Sequence, residues 1–233
     1  MKMTGNTIFI TGGATGIGLS MAKLFYEMGN TVIICGRRTD RLAKAKAEMP
    51  GLHTFIGDVS NADGRKEIFN HIIQNFPYTN ILINNAGLQK DIDLTKGMDD
   101  LLKGDCEIIT NLEAPIYLSA LFTHHLSGQK NAAIINITSG LAFMPEHSTI
   151  MPVYCATKAA LHAFSIAQRN QLTPLNIRVI EIIPPRVESE LNMEGRRKRN
   201  QLTSPHMMTS NEFAVVALAQ MAEGLDEIRI LGK

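Results

Sequence analysis

The chain has 233 residues, 45% hydrophobic and 19% charged, with 23 Lys and Arg against 22 Asp and Glu for a formal net charge of +1. That length suits one large α/β domain or two small ones, and the near-neutral balance points away from nucleic-acid and membrane-surface partners. Cys35, Cys106 and Cys155 are too few and too scattered for a disulfide framework or a zinc site, the seven histidines show no ligand spacing, and no apolar run approaches the ~20 residues that span a bilayer.

The start, Met1-Lys2-Met3-Thr4-Gly5, leaves no room for a signal peptide before the first strand, so a reducing cytoplasm is the expected compartment. Thr7-Ile8-Phe9-Ile10 predicts that strand. The turn Thr11-Gly12-Gly13-Ala14-Thr15-Gly16-Ile17-Gly18 follows and opens a helical pattern of Ile17, Met21, Leu24, Phe25 and Met28, which closes at Gly29. Strand, glycine turn and helix is the layout of a dinucleotide-phosphate site. Glycines let the backbone approach a diphosphate, and the helix N-terminus offers unpaired N–H donors and a positive dipole end. Taken alone, the turn has a second, weaker reading as a connection with no ligand.

Thr31 to Cys35 is a β-branched run, hence a buried strand, ending in Gly36-Arg37-Arg38. Asp40 to Glu48 is helical in composition, and Leu52 to Ile56 predicts a third strand ending at Gly57-Asp58-Val59. Ser60 with Asp63 resembles a capping box before a helix carrying Ile68, Phe69, Ile72, Ile73 and Phe76. Ile81-Leu82-Ile83 is a short strand that leads into Asn84-Asn85-Ala86-Gly87. Residues 88–103 read as loop plus partial helix. A long helix is expected from Asp105 to about Leu126, then a strand from Ala132 to Thr138 and a second long helix from Pro152 to Leu172. Ile177 to Ile183 is a strand, 188–208 is polar, Asn211 to Ala222 is a helix and Glu227 to Leu231 a last strand.

Strands alternating with helices predict an α/β chain, a Rossmann-type doubly wound parallel sheet of about seven strands with helices on both faces. No linker, repeat or low-complexity stretch divides residues 1–233, so one domain is expected. Ligands of such sheets sit at the carboxyl ends of the strands. Gly12 to Gly18, Arg37, Asp58, Asn84 to Gly87, Ser139 and Pro184 to Val187 all fall there.

Tyr154-Cys155-Ala156-Thr157-Lys158 lies in a helical stretch, so Tyr154 and Lys158, four apart, share a face. A phenol with a reference pKa near 10 exchanges protons poorly at neutral pH, and a neighbouring ammonium favours its ionised form. The bland alternative is a core tyrosine beside a surface lysine. A glycine turn and a serine closing the preceding strand make coincidence less credible.

On Thr11-Gly12-x-x-x-Gly16-x-Gly18, Asp58-Val59, Asn84-Asn85-Ala86-Gly87, Asn111, Ser139 and Tyr154-x-x-x-Lys158, the chain resembles the short-chain dehydrogenase/reductase family over almost its whole length. Within that family it is most similar to the small DltE-type oxidoreductases, judging by Met1-Lys2-Met3-Thr4 and Pro184-Pro185. The resemblance implies catalytic roles. Tyr154 would be the general acid or base, Lys158 would hold the nicotinamide ribose and lower the tyrosine pKa, and Ser139 would bind the substrate oxygen. Asn111 would fix a water that links Lys158 to solvent. It also implies a cofactor site of Gly12, Thr15, Gly16, Ile17, Gly18, Arg37, Arg38, Asp58, Val59, Asn85, Ala86, Gly87, Tyr154, Lys158, Pro184 and Val187, with Pro185 in place of a usual glycine. A homodimer or homotetramer and a substrate lid over 188–208 are implied as well.

Pro115, four residues after Asn111, removes the N–H that would bond the Asn111 carbonyl, leaving that oxygen for water or simply kinking the helix. Cofactor choice turns on the end of the second strand. The acid that binds a ribose 2′-OH is missing from Cys35-Gly36-Arg37-Arg38, an arginine suits a 2′-phosphate, and Arg37 is the residue expected to fork onto it. NADP(H) is therefore favoured over NAD(H), by roughly 10- to 150-fold if one charged hydrogen bond decides it.

Leu141, Phe143 and Met144 either line a substrate pocket or cover the core. Arg196-Arg197-Lys198-Arg199 either attracts an acidic substrate or forms a solvated face. The expected activity is hydride transfer between NADP(H) and a small carbonyl or alcohol substrate. The alternatives are an NADP-binding sensor without turnover, or an epimerase or dehydratase on the same fold.

Overall fold

The computed structural model describes residues 1–102, 105–200 and 207–232. Seven strands form one parallel sheet: β1 (Thr7–Thr11), β2 (Thr31–Gly36), β3 (His53–Ile56), β4 (Ile81–Asn84), β5 (Ala133–Ile137), β6 (Arg178–Ile183) and β7 (Glu227–Arg229). Their order is β3-β2-β1-β4-β5-β6-β7. The sequence runs outward from β1 in both directions, so the chain reverses its progression between β1 and β4. Helices there cross to opposite faces and leave a crevice at the carboxyl ends of the two strands.

Alternation along each strand builds two cores. On one face Ile8, Ile10, Val32, Ile34, Ile81, Ile83, Ile135 and Ile180 pack on α1 (Gly16–Glu27), α2 (Thr39–Glu48) and α9 (Ser210–Ala222) through Met21, Phe25, Leu42, Phe213 and Met221. On the other, Phe9, Ile33, Leu82, Ile134 and Val179 meet α3 (Ala62–Asn75), α6 (Ala114–Ser127) and α7 (Pro152–Leu172). Phe122 sits at the centre of that second core, stacked on Phe9 at 5.8 Å and edge-on to Phe69 at 5.1 Å. Burying one such side chain contributes roughly 1.5–3 kcal/mol.

A polar seam runs through the second layer. Asn84 Nδ2 donates to Asn136 Oδ1 at 2.9 Å, and Asn136 Nδ2 donates to Ser165 Oγ at 2.9 Å and Gln168 Oε1 at 3.0 Å. The seam ties the ends of β4 and β5 to α7. A buried amide must find partners, and here those partners fix α7 against the sheet.

Three elements differ from the sequence expectation. Asn61, not Ser60, caps α3, accepting from the Gly64 N–H at 2.6 Å, while the Ser60 N–H donates to Asp58. The long helix is interrupted: α5 (Asp105–Ile108) passes into a π-helical segment, Ile109–Glu113, before α6. Pro115 has no N–H for a regular bond to Asn111, so the ladder slips by one residue, with the Ala114 N–H bonded to the Ile109 carbonyl. Residues 188–208, expected to be polar and irregular, carry the short helix α8 (Met193–Lys198), while 201–206 of that stretch lie outside the described residues. By contrast, the loop plus partial helix expected over 88–103 is found, as a 3-10 turn, Leu94–Lys96, followed by α4 (Met98–Leu101).

Candidate functional site

The glycine turn after β1 is locked from β4. Thr11 Oγ1 accepts from the N–H groups of Asn85 and Ala86 at 3.1 Å each, and Asn85 Nδ2 donates to the carbonyls of Thr11 and Gly12 at 2.9 and 3.0 Å. The chains approach so closely that a Cβ on Gly12 would lie 2.8 Å from Ala86 Cα, and one on Gly18 2.4 Å from Asn85 Nδ2. Gly12 and Gly16 also have φ of 63° and 56°, the left-handed region that glycine adopts without strain. Thr15 heads α1 with no side-chain cap and no acid follows in the first turn, so the helix keeps its N–H donors and positive dipole end for an anion.

A cleft of about 1730 Å³ runs from this turn across the strand ends. Gly12, Thr15, Gly16, Ile17, Arg37, Arg38, Asp58, Val59, Asn85, Ala86, Gly87, Ser139, Tyr154, Lys158, Pro184 and Val187 all line it. Gly18 and Asn111 lie behind its wall: Gly18 packs under Asn85, and Asn111 is fully buried. Pro185 leaves the loop after β6 without one N–H, yet the loop is held by the Gly140 N–H donating to the Pro184 carbonyl at 2.9 Å.

At the inner end stand Ser139, Tyr154 and Lys158. Pro152 starts α7 as a first-turn proline, which puts Tyr154 and Lys158 on the buried face one turn apart. Lys158 Nζ donates to the Ile137 carbonyl at 2.8 Å and lies 5.8 Å from the centre of the Tyr154 ring. Burial pushes the Lys158 pKa down to about 8. Burial likewise pushes the Tyr154 phenol up to about 12, against the pull of Ser139 and of Arg196. The expected lowering of the Tyr154 pKa by Lys158 is therefore not present in the chain alone. Desolvation of the phenol outweighs the charges around it.

Asn111 Oδ1 accepts from the Leu88 N–H at 2.7 Å, and its Nδ2 donates to the Leu88 carbonyl at 2.8 Å and Thr157 Oγ1 at 3.2 Å. It thus clamps the chain just after Gly87 and ties it to α7. A Cβ on Gly87 would sit 3.5 Å from Asn111 Oδ1 and 3.8 Å from Lys158 Nζ, so Gly87 lies in ordinary contact distance of both side chains.

At the outer end the two arginines part. Arg37 faces Asp58 at 3.8 Å. Arg38 donates to Thr15 Oγ1 at 3.1 Å and pairs with Glu190 at 2.5 Å, and Arg41 joins the same carboxylate at 2.9 Å. Glu190 thus rests between two guanidinium groups beside the N-terminus of α1.

Several of these residues were not singled out in the sequence. Arg41 follows Arg38 by three positions on α2, a spacing that puts both on one side. Glu107 precedes Asn111 by four and is fully buried, its Oε1 accepting from the Lys90 N–H at 3.0 Å and its Oε2 without a partner among the described residues. Burial holds its pKa up at about 7. Of the three apolar candidates between Ser139 and Tyr154, Leu141 and Met144 line the cleft. Phe143 turns away, packing on His162 at 4.5 Å with the Arg229 guanidinium 4.0 Å over its ring.

The sequence profile of the short chain dehydrogenase family matches residues 6–200. The chain belongs to the short-chain dehydrogenase/reductase family. This dehydrogenase/reductase is 47% identical over 228 residues to the uncharacterized oxidoreductase DltE of Bacillus subtilis, which covers 98% of this chain and 89% of that one. It is 28% identical over 197 residues to 3-oxoacyl-[acyl-carrier-protein] reductase FabG of Thermotoga maritima, 82% of this chain and 78% of that one. Among solved structures, a short-chain dehydrogenase from Sphingobium yanoikuyae in complex with NADPH superimposes with a TM-score of 0.79 at 26% identity, covering 96% of this chain and 86% of that one. The 3-ketoacyl-(acyl-carrier-protein) reductase from Brucella melitensis, complexed with NADH, shares the fold with a TM-score of 0.85 at 21% identity, covering 98% of both chains.

Proposed function

We propose that this oxidoreductase reduces a carbonyl, or oxidises the matching alcohol, with NADP(H) as hydride partner and Tyr154 as the group that exchanges a proton with the substrate oxygen. The observation that carries this reading is one cleft with a paired-arginine anion site at one end and Ser139, Tyr154 and Lys158 at the other.

The residues present fit a dinucleotide. The uncapped start of α1 with Gly12, Thr15, Gly16 and Ile17, backed by Gly18, would hold the diphosphate. Arg38 and Arg41 would hold a 2′-phosphate where the Glu190 carboxylate now lies, with Arg37, Asp58 and Val59 around the adenine. Asn85, Ala86 and Gly87 would pass along its middle, Lys158 would hold the nicotinamide ribose, and Pro184 and Val187 would meet the nicotinamide amide. When bound, the dinucleotide supplies or accepts the hydride.

The chain's own residues do the proton work. Tyr154, its pKa near 12, carries its proton across the neutral range and is a loaded donor in the reducing direction. Ser139 donates a hydrogen bond to the substrate oxygen, where negative charge gathers as the carbonyl is reduced. Lys158, below its pKa of about 8, is an ammonium whose charge favours the phenolate left behind. Asn111 holds Leu88, and so keeps the Asn85–Gly87 wall against Lys158.

Residues 188–208 act in this reading as a substrate lid on a single 1–233 domain. Pairing into a homodimer or homotetramer is supported by Ile108, Tyr117 and Ile166, apolar yet exposed on α5, α6 and α7. Cytoplasmic placement accords with three cysteines in no disulfide. A screen of aldehydes, ketones and quinones with NADPH and NADH in parallel tests the reading. Consumption of NADPH well ahead of NADH supports it, and tight NADPH binding with no turnover of any carbonyl points instead to a sensor.

A further inference from the structure

The run Arg196-Arg197-Lys198-Arg199 resolves into four different environments. Arg197 and Lys198 face solvent, and Lys198 pairs with Glu194 at 2.7 Å. Arg199 is paired with Asp91. Arg196 alone is turned inward, 9% exposed, and it lines the cleft that holds Tyr154.

Arg196 is held there by the way α8 docks. Asn192 Nδ2 donates to Asp91 Oδ1 at 2.7 Å, and Arg199 reaches the other oxygen of the same carboxylate. Between them Gly195 lies so tightly on this pair that a Cβ would come within 2.5 Å of Asp91 Oδ2 and of Asn192 Oδ1. With that face of α8 pinned down, Arg196 points into the cleft.

Its charge is uncompensated. Among the described residues its hydrogen bond is to the Ser189 carbonyl at 3.5 Å, and no carboxylate pairs with it. The nearby acids are engaged elsewhere: Asp91 with Arg199 and Asn192, Glu190 with Arg38 and Arg41, Glu194 with Lys198. Arg186, exposed on the same cleft, adds a second positive charge close enough to disfavour the first, on top of the cost of burial. A buried guanidinium without a counter-charge is costly, and an anion that brings two oxygens to its fork offsets that cost. Tyr154 is close enough that each group shifts the protonation of the other.

We propose that Arg196, assisted by Arg186, is an anion-binding subsite of the substrate pocket, and that the substrate is a small carbonyl compound bearing a carboxylate or a phosphate. This rests on the reading that Tyr154 protonates a carbonyl oxygen. Ser139, Tyr154 and Arg196 line the same cleft, so a molecule with its oxygen at the first two would turn its anionic group toward the third.

The test is a set of matched substrates with NADPH: a short 3-oxo acid against its methyl ester, and dihydroxyacetone phosphate against dihydroxyacetone. kcat/KM is expected to favour one anionic member by about 10- to 100-fold, and which pair shows it separates carboxylate from phosphate. Arg196→Gln should abolish that preference through the KM of the anionic member, while the NADPH dissociation constant stays within about twofold. Arg196→Lys should restore part of it, since an ammonium keeps the charge without the fork. Equal use of charged and neutral members by the wild type overturns the subsite and leaves the role of Tyr154 standing. So does a loss in Arg196→Gln that falls on NADPH affinity, which would assign Arg196 to the cofactor diphosphate. If no carbonyl of either kind consumes NADPH, both the subsite and the Tyr154 reading fail.

Discussion

The Glu190 carboxylate lies 2.5 Å from the Arg38 guanidinium, at the place where a 2′-phosphate would be held. Arg41 shares it at 2.9 Å. In the proposed cofactor reading, Glu190 would compete with a 2′-phosphate for these two arginines and would have to leave for it to enter. Arg38→Gln should cut the NADPH-over-NADH affinity ratio by about tenfold, at the low end for a charged hydrogen bond because Arg38 is half exposed. Glu190→Gln should act the other way and tighten NADPH by about two- to fivefold, the worth of an exposed ion pair. Calorimetric titration of both nucleotides into both variants checks this. An unchanged ratio in Arg38→Gln would remove it from the phosphate site.

Glu107 gives a stability prediction with a definite sign. Its folded pKa of about 7 lies above the ordinary carboxyl value, because burial disfavours the charged form. Between pH ~4.5 and ~7 the folded chain therefore keeps a proton that the unfolded chain releases, and stability falls as pH rises through that window. Glu107→Gln retains an acceptor for the Lys90 N–H and has no charge to bury. Its stability advantage over wild type should be smallest near pH 4.5 and grow to about 2–3 kcal/mol at pH 7. Urea unfolding of both proteins at several pH values measures the gap. A constant gap would mean Glu107 does not titrate in this range.

Asn111 and Pro115 make a paired prediction. Asn111→Ala leaves the Leu88 N–H and carbonyl unmatched, at about 1–3 kcal/mol each. It should lower the melting temperature, weaken NADPH binding and reduce turnover together. Pro115→Ala lets a regular helix run through 109–113 in place of the π segment. It should cost little stability but cut kcat, with NADPH affinity nearly unchanged, because Asn111 rotates relative to Lys158. Thermal melts with steady-state kinetics separate the two. A Pro115→Ala enzyme with wild-type kcat would show that the break is only a packing feature.

Much of the fold was legible in the sequence. The runs Thr31–Cys35 and Ala133–Ile137 are β-branched and apolar because strands buried on both faces have no polar side to show. Helix α7 is read at both ends, from Pro152 at its start and Leu172 at its close, since these are local signals. The glycine turn and the Tyr154–Lys158 spacing were legible for the same reason. What was not legible depends on contacts between distant segments. Proline at 115 announced a defect but not a five-residue π segment, since a missing N–H marks where the ladder breaks and not how far the break extends. The run from Arg196 to Arg199 was open to two readings, an acidic-substrate contact or a solvated face, and which of the four cations turns inward depends on the docking of α8 on Asp91, about a hundred residues earlier. The phenol of Tyr154 was expected to be lowered by its lysine. Helix spacing shows the neighbour but not the burial that overrides it.

Tyr154→Phe separates proton donation by Tyr154 from its part in shaping the cleft. The variant keeps the ring and the cleft and removes one hydroxyl. NADPH should bind within about twofold of wild type, while turnover of the best carbonyl substrate falls by ~10²–10⁴-fold, the usual worth of a positioned general acid. Turnover within a few fold of wild type, with NADPH still bound, would contradict the account.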